Sequence, residues 1–340
     1  MASSLQNHLS ERFDFSGVDS VEISVLKKGK VVGRASFGKN YKYFDLASLT
    51  KIMFAAPAGA MAVSQGDIQY KDRVDKYLSW WPHDTKVSEL LTHTSGLNWW
   101  QPLYKMIDQD LDLAGRQTQI ASILRGQKII DRGQSQYSDL GILLFGLLLQ
   151  KVYSAPLNQI YRSLMEQFSH QSFFGGRHHP CVKASEFAPT EKCKFRNRIV
   201  RGDVHDENTY ALGGVSLHAG LFGTLGDCEL YVKDMYRHLR SRTTFSKTLH
   251  LATERQIPAK KGDWGYGFMK PTKGAASCGQ NMKLTAFGHT GFTGTSIWMQ
   301  DRAELGVVIL SNRVHPTREN RKFVRLRPQI HDAILDWLEE

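Results

Sequence analysis

Three serine–lysine pairs in this 340-residue chain have the spacing at which a lysine can activate a serine nucleophile. The pattern Ser-x-x-Lys begins at Ser24, at Ser36 and at Ser48. Residues 21–38 have the apolar pattern of a β-hairpin, and side chains i and i+3 of a strand point to opposite faces. On a helix the same positions share one face. Because helical apolar spacing begins at Ser48, the candidate catalytic pair is Ser48 and Lys51.

The start of a helix favours nucleophilic chemistry at Ser48. Unpaired backbone N–H groups and the positive end of the helix dipole lie there. Both make it easier for the hydroxyl to lose its proton, and the serine N–H can bind an oxyanion. A serine at this position is more often a simple helix cap. The catalytic interpretation of Ser48 therefore depends on the motifs that follow.

Two further short motifs occur downstream, at residues 137–139 (Tyr-Ser-Asp) and 289–291 (His-Thr-Gly). With DLASLTK around Ser48, LLTHTSGL at 90–97 and GHTGFTGTSIWM from 288, the chain resembles the penicillin-recognising serine hydrolases. This superfamily contains class C β-lactamases, D,D-peptidases and related esterases and amidases. Its signatures are S-x-x-K, Y-x-N or S-x-N, and K-T-G or H-T-G. All three are matched here in the family's order, the second with aspartate in place of asparagine. The resemblance extends from about residue 20 to the end of the chain.

The resemblance implies an α/β (α+β) fold class, with a mainly antiparallel sheet flanked by helices and an inserted all-helical subdomain. The element pattern agrees, since strands are predicted near both ends of the sequence, at residues 21–38, 264–269, 295–300 and 305–312. Helices are predicted between them, including an apolar helix from Leu140 to Val152. A terminal amphipathic helix is predicted from Ile330 to Glu340. We expect residues 1–50 and 205–340 to form a discontinuous sheet domain. Residues 51–204 are predicted to form the helical subdomain, with the active-site groove between the two.

The resemblance also implies roles for individual residues. Ser48 is the nucleophile that forms an acyl-enzyme, and Lys51 accepts or relays its proton. Tyr137 is the second proton-transfer group and serves the leaving group. The oxyanion hole consists of the N–H groups of Ser48 and Phe292, the residue just after the third motif.

Asp139 stands where the family usually has asparagine. A carboxylate near Lys51 favours the charged ammonium and so makes the lysine a poorer base. If Asp139 points inward, we expect Tyr137 to take over part of the activation. Asp139 is also a predicted substrate-binding residue.

His289, Thr290 and Gly291 are the other predicted substrate-binding residues, and Gly291 would let the substrate backbone approach closely. His289 replaces a lysine that in relatives helps to hold the carboxylate of penicillin or of a D-alanine terminus. A histidine has no obligate positive charge near neutral pH. This disfavours a dedicated β-lactamase and predicts that activity changes as the pH passes through the pKa of His289.

No metal or cofactor is predicted. His178, His179 and Cys181 lack a second pair of zinc ligands, and residues 205–208 (His-Asp-Glu-Asn) are interpreted as a polar loop near the groove. His93 is interpreted as structural, fixing a loop by hydrogen bonds. The chain contains neither the G-x-S-x-G elbow of α/β-hydrolases nor a phosphate-binding P-loop.

The formal charge is +11, from 44 Lys and Arg against 33 Asp and Glu, which favours anionic partners. The most basic stretch, Arg318–Arg327, is predicted to be a solvated face. The longest apolar run, Leu140–Leu149, is too short to cross a bilayer, which takes about 20 residues. The first residues lack the apolar core of a signal peptide, which predicts a cytoplasmic location; the alternative is a periplasmic or secreted mature form.

The predicted function is a serine hydrolase that acts on an amide of peptidoglycan-derived muropeptides, of D,D-carboxypeptidase or muramoyl-peptide amidase type. The sequence after Asn312 resembles relatives associated with cell-wall recycling, and the positive charge suits anionic cell-wall fragments. The alternative is a small-molecule esterase or a class C-like β-lactamase. A non-catalytic binding protein is disfavoured because Ser48, Lys51 and Tyr137 are all present. Nucleic acid is not an expected partner, and the oligomeric state is left open.

Overall fold

The computed structural model describes residues 4–179 and 182–340. Its main feature is a five-stranded antiparallel sheet with the strand order β2-β1-β9-β8-β7. The strands are β1 (Ser20–Lys27), β2 (Lys30–Gly38), β7 (Phe287–Thr290), β8 (Ser296–Gln300) and β9 (Leu305–Ser311). The two ends of the chain therefore meet in one sheet, as the sequence predicted.

The predicted hairpin of β1 and β2 is confirmed, and its turn is made by Lys28 and Gly29. Both turn residues have positive φ angles, of 52° and 72°. A two-residue turn of this kind matches the right-handed twist of the strands on either side.

Each face of the sheet is covered by helices. Alternate residues of a strand point to opposite faces, and in β9 both sets are apolar. Val307 and Ile309 pack into the core formed with α1 (Leu5–Ser10) and α10 (Lys322–Trp337). Val308 and Leu310 pack into the larger core, which contains α8 (Leu225–Arg240). The strand is buried on both sides, which explains its continuous apolar sequence.

The remaining helices lie mostly between the two sheet-forming ends of the chain. They are α2 (Ala56–Gln65), α3 (Val87–Leu91), α4 (Leu113–Arg125), α5 (Asp139–Tyr153), α6 (Leu157–Leu164), α7 (Glu207–Ala211) and α9 (Thr244–Thr253). Two short ladders pair β3 (Phe44–Asp45) with β6 (Phe222–Gly223) and β4 (Lys192–Cys193) with β5 (Arg198–Ile199). The division into two domains stays a prediction.

The apolar helix predicted from Leu140 is confirmed as α5, and most of its side chains are buried. No single described helix is both long and apolar enough to cross a membrane. By length and composition alone, α5 taken together with residues 157–167 meets that criterion, across a bend of 78°.

Two sequence predictions about local structure are wrong. Residues 264–269 were expected to form a strand, but they form a tight turn in which Trp264 bridges to Met269 and Gly267 has φ +80°. The terminal helix begins at Lys322 rather than at Ile330, and it contains Pro328. Proline is unfavourable within a helix, and basic side chains interrupt the apolar spacing before it, so the sequence pattern does not indicate the first two turns of this helix.

The basic stretch Arg318–Arg327 is only partly a solvated face. Arg327 is buried, and its Nη1 donates to the backbone oxygen of Thr295 at 3.0 Å. Arg318 is half-buried and forms ion pairs with Glu191 and Glu207. The prediction is wrong for these two residues, because charge alone does not show which arginines find acceptors inside the fold.

Candidate active site

Ser48 lies in a tight turn that leads from β3 into the helix carrying Lys51. The buried carboxylate of Asp45 accepts hydrogen bonds from the backbone N–H groups of Ala47 (2.8 Å) and His205 (2.6 Å). Ala47 has φ +48°, in the left-handed region that is unfavourable for a residue with a Cβ. The strained turn is held by Asp45, and it projects Ser48 ahead of a π-helical segment, Lys51–Ala55, that continues into α2. Such π-helical segments are frequent at functional sites.

Two of the predicted residues, Lys51 and Tyr137, contact the Ser48 hydroxyl. Lys51 Nζ lies 2.9 Å from Ser48 Oγ, and Tyr137 OH lies 2.8 Å from the same oxygen. Asp139 points inward, with Oδ1 at 2.8 Å from Lys51 Nζ. The side chain of Lys51 is completely buried. One hydroxyl thus contacts both an amine and a phenol, which is the arrangement that proton transfer to and from a nucleophile requires.

Burial has opposite effects on the two proton-transfer groups. It lowers the pKa of Lys51, because a buried ammonium loses its hydration, and this outweighs the opposing effect of the Asp139 and Asp206 carboxylates. Burial and the Asp139 charge raise the pKa of Tyr137 well above its usual range. The buried amine is therefore the better proton acceptor, and the phenol keeps its proton. The expectation that an inward-pointing Asp139 passes the activation to Tyr137 is wrong, because burial dominates.

Tyr137 is positioned by the turn that starts α5. Ser138 caps this helix, since its Oγ accepts the N–H of Gly141 at 3.1 Å and donates to Asn98 O at 2.7 Å. The Ser138 N–H donates to His93 Nδ1 at 3.1 Å. His93 is thus structural, as predicted, and it links the LLTHTSGL segment to the Tyr137 motif.

The third motif lies on the edge strand β7. His289 is buried, and its Nδ1 donates to the backbone oxygen of Thr290 at 2.7 Å. Burial and the neighbouring Lys51 lower the pKa of His289 to about 3. The imidazole is therefore neutral at every pH well above 3, so its titration does not fall in the range near neutral pH where the sequence placed it.

Gly291 brings the end of β7 against the turn that carries Ser48. A Cβ at position 291 would lie 2.0 Å from Thr295 Oγ1 and 2.8 Å from the backbone oxygen of Leu46. Thr293 and Thr295 donate their hydroxyls to the backbone oxygens of Asp45 (2.8 Å) and Leu46 (3.1 Å). Glycine is required here for contact between two segments of the protein, whatever its part in substrate binding.

The predicted oxyanion donors lie on these two segments. No acceptor within residues 4–179 and 182–340 pairs with the backbone N–H of Ser48 or of Phe292. Arg313 Nε donates to Phe292 O at 2.9 Å, which holds the peptide that follows Phe292. Both N–H groups are therefore available to a substrate oxygen. Thr290 is half-buried with its Oγ1 4.0 Å from Met269 Sδ, and it does not contact Ser48.

Sequence reasoning missed the part played by Asp206 and His218. Asp206 was placed in a polar loop, but its side chain caps α7 and its Oδ1 lies 3.0 Å from His218 Nε2. The backbone oxygen of His218 accepts a hydrogen bond from Lys51 Nζ at 3.0 Å. Only the unusual polar density of residues 205–208 hinted at this, since no spacing rule connects these residues to Lys51.

A second cluster of possible metal ligands lies in the described residues. One side-chain atom each of Glu191, Cys193 and Glu207 lies within 4.8 Å of the others. Arg318 forms ion pairs with both carboxylates, so a guanidinium already supplies the positive charge there. Of the residues that the sequence analysis considered as zinc ligands, His178 has its Nε2 3.3 Å from Asp203 Oδ1. Cys181 lies outside the described residues.

Comparison with known proteins agrees with the geometry. The sequence profile of the family described as Beta-lactamase matches residues 5–329. The chain is 26% identical to the Bacillus subtilis (strain 168) protein named "N-acetylmuramyl-L-alanine amidase", over 91% of this chain and 80% of the relative. It is 27% identical to the Escherichia coli (strain K12) protein named "Putative D-alanyl-D-alanine carboxypeptidase", over 90% and 81% of the two chains.

Solved structures show the same fold at low sequence identity. EstCE1, described as a hydrolase with promiscuous acyltransferase activity, superposes with a TM-score of 0.71 at 18% identity and covers 97% of both chains. The octameric penicillin-binding protein homologue from Pyrococcus abyssi gives a TM-score of 0.69 at 20% identity, over 98% of this chain and 75% of the other. With the profile match over nearly its whole length, the chain belongs to the Beta-lactamase family.

Proposed function

We propose that the chain is a serine hydrolase that cleaves an amide bond of peptidoglycan-derived muropeptides through an acyl-enzyme. The observation that carries this proposal is the contact of one serine hydroxyl, Ser48, with both a buried amine and a buried phenol. The names of two relatives, an amidase and a carboxypeptidase, suggest the substrate class.

In the first step, Ser48 Oγ attacks the carbonyl carbon while its proton moves to the amine of Lys51. The lowered pKa of Lys51 supports this role, because an amine accepts a proton only when it is not already protonated. The negative charge that develops on the carbonyl oxygen is stabilised by the N–H groups of Ser48 and Phe292.

In the second step the C–N bond breaks, and the leaving nitrogen takes the phenolic proton of Tyr137. The raised pKa of Tyr137 means that the phenol still carries its proton when the leaving nitrogen, which gains basicity as the C–N bond breaks, can take it. The Lys51 ammonium then returns a proton to Tyr137. Water attacks the acyl-enzyme with the same groups acting in reverse, which releases the acid product and restores Ser48.

The substrate backbone is proposed to lie along the end of β7. This strand is at the edge of the sheet, so its outer side near Thr290 and Gly291 can accept an extended chain. His289 lies beside Tyr137, with 5.9 Å between the ring centroids, and Asp139 contacts Lys51. The neutral His289 offers no positive charge for a terminal carboxylate, which favours the muramoyl-peptide amidase type over the D,D-carboxypeptidase type.

The second candidate is a small-molecule esterase or a class C-like β-lactamase. The neutral His289 also favours the esterase, because simple esters carry no carboxylate for a cation to hold. The neutral His289 counts against the β-lactamase, because β-lactam substrates carry a carboxylate.

The decisive experiment is digestion of purified muropeptides with the wild-type protein and with Ser48→Ala, read by mass spectrometry. We expect wild type to release a peptide or a D-alanine, and the variant to release neither. Muropeptides that survive wild type intact, together with rapid turnover of simple esters, would replace the amidase proposal by the esterase one.

A further inference from the structure

Lys51 is held by three groups, and only two of them belong to the family motifs. Its Nζ contacts Ser48 Oγ at 2.9 Å and Asp139 Oδ1 at 2.8 Å. The third contact is a hydrogen bond of 3.0 Å to the backbone oxygen of His218. A neutral amine has two N–H donors, and Asp139 and this carbonyl can both accept from them, so the lone pair of the amine is directed at the Ser48 hydroxyl.

The backbone oxygen of His218 is fixed because its imidazole is anchored on both nitrogens. The ring is buried, and its Nε2 lies 3.0 Å from Asp206 Oδ1 and 3.1 Å from Thr209 Oγ1. Its Nδ1 lies 2.6 Å from Ser216 Oγ. A carboxylate can only accept, so Nε2 carries a proton and donates to Asp206, while Nδ1 forms the hydrogen bond with the Ser216 hydroxyl.

Asp206 is itself well fixed. Its Oδ1 also accepts the backbone N–H of Thr209 at 2.7 Å, which caps α7. Burial opposes the ionisation of Asp206, but the electrostatic interaction with His218 and the hydrogen bonds from His218 and Thr209 outweigh it. They hold the pKa of Asp206 well below its usual range, so the side chain is a carboxylate. A second negative charge, besides that of the motif residue Asp139, therefore interacts with Lys51.

We propose that Asp206 is a positioning residue for the reaction. Acting through the ring of His218, it fixes the backbone oxygen that aims the Lys51 amine at Ser48, and its charge sets how readily that amine holds a proton. The proposal rests on the proposed function, in that it takes Ser48 to be the nucleophile and Lys51 its base.

The charge of Asp206 acts on Lys51 together with several other groups. Asp139 and Asp206 favour the ammonium, while burial disfavours it more strongly. Asp206 and Asp139 both disfavour the ionisation of Tyr137 and so raise its pKa. The titratable groups that interact with Lys51 or Asp206 are Asp45, His93, Tyr137, Asp139, His218 and His289.

The test measures activation of Ser48 without assuming a natural substrate. A fluorophosphonate probe is reacted with the full chain across a range of pH, and the rate of Ser48 labelling is followed by mass spectrometry, with Ser48→Ala as the blank. Asp206→Asn should lower the labelling rate at its plateau by about tenfold, because the amine is no longer held in line. Its acidic limb should also move to lower pH, because one charge that favours the ammonium is gone.

Ser216→Ala separates position from charge. This variant removes the hydrogen bond to His218 Nδ1 and leaves every charge in place. We expect a lower plateau and an unchanged acidic midpoint. Asp203→Asn is the matched control, because Asp203 is a buried carboxylate nearby in the chain whose partners are Arg177 and Arg198. After thermal unfolding has verified that each variant is folded, this control should match wild type in both rate and midpoint.

The proposal is overturned if folded Asp206→Asn is labelled at the same rate as wild type. It is also overturned if the acidic midpoint of Asp206→Asn does not move and its plateau labelling rate is no lower than that of Asp203→Asn. A wild-type chain that labels rapidly but leaves muropeptides intact would remove the proposed substrate and leave the role of Asp206 standing. A wild-type Ser48 that does not react at all would remove both.

Discussion

Lys51 and Lys270 are both buried lysines, yet they lie in opposite kinds of surroundings. Lys51 contacts a serine hydroxyl and an aspartate, and a second aspartate lies close by. Lys270 donates to two backbone oxygens, those of Thr253 at 2.8 Å and Thr285 at 2.9 Å. Burial lowers the pKa of both, to about 8 for Lys270, where Arg255 adds to the effect.

The comparison shows that a lowered lysine pKa does not by itself identify a catalytic base. Burial is the main cause of the shift in both places. Lys51 differs from Lys270 in two respects. The Ser48 hydroxyl lies within hydrogen-bonding distance of its amine, and nearby aspartate carboxylates limit the lowering of its pKa. Lys270 has the shifted pKa without a nucleophile beside it, so its function is to satisfy two buried carbonyls.

The largest expected effect is that of Lys51→Met. It removes the proposed base, and we expect kcat to fall by about a thousandfold, within the usual range for general acid–base groups. Ester hydrolysis by purified protein measures this. A matched Lys270→Met variant should retain kcat within about threefold of wild type, because no hydroxyl contacts that amine. Equal losses of kcat in the two variants would remove the distinction between the lysines.

A smaller effect is expected from Asp139→Asn, which restores the residue usual in the family. The carboxylate favours the Lys51 ammonium, so its removal should lower the pKa of Lys51 further. The acidic limb of kcat/KM should then move to lower pH, and by more than in Asp206→Asn, since Asp139 is in direct contact with the amine. The pH profile checks this, and a limb that moves to higher pH would contradict it.

The smallest expected effect concerns stability and its dependence on pH. The pKa of Lys270 is about 8 when folded, below the 10.5 of a free lysine, so the unfolded chain binds more protons between these values. The contribution of Lys270 to the free energy of unfolding should therefore rise with pH across this range. Urea unfolding at several pH values measures it. Relative to Lys270→Met, wild type should gain on the order of 1–3 kcal/mol from pH 8 to 10.

The subtraction of Lys270→Met is essential to that measurement. Buried tyrosines such as Tyr70 have raised pKa values and destabilise the folded chain above the pKa of a free tyrosine, in both proteins alike. The difference between the two proteins isolates Lys270. A difference that stays constant with pH would show that Lys270 is not held with a lowered pKa.

Much of the fold and the site was predictable from local patterns. The hairpin of β1 and β2 follows from alternating apolar residues on either side of Lys28-Gly29, and α5 from a long apolar helix with a serine cap. The candidate pair Ser48 and Lys51 follows from helical spacing. Each of these depends on residues close together in the chain, where geometry is fixed by the backbone.

Other features could not be predicted, because they depend on what surrounds a side chain. The neutral state of His289 and the burial of Arg327 follow from their environment in the fold, and neither residue type indicates it. The turn at residues 264–269 has the composition of a strand, but Gly267 at φ +80° breaks it.

The sequence by itself determined the order of the motifs, the nucleophile candidate and the meeting of the two chain ends in one sheet. Only the tertiary structure decided that the pKa of Lys51 is lowered and that of Tyr137 is raised, because both shifts depend on burial and on the neighbouring Asp139 charge. It also brought Asp206 and His218 to Lys51, across more than 150 residues of chain. Proton affinity in a protein is set by burial and neighbouring charge, and both exist only once the chain has folded.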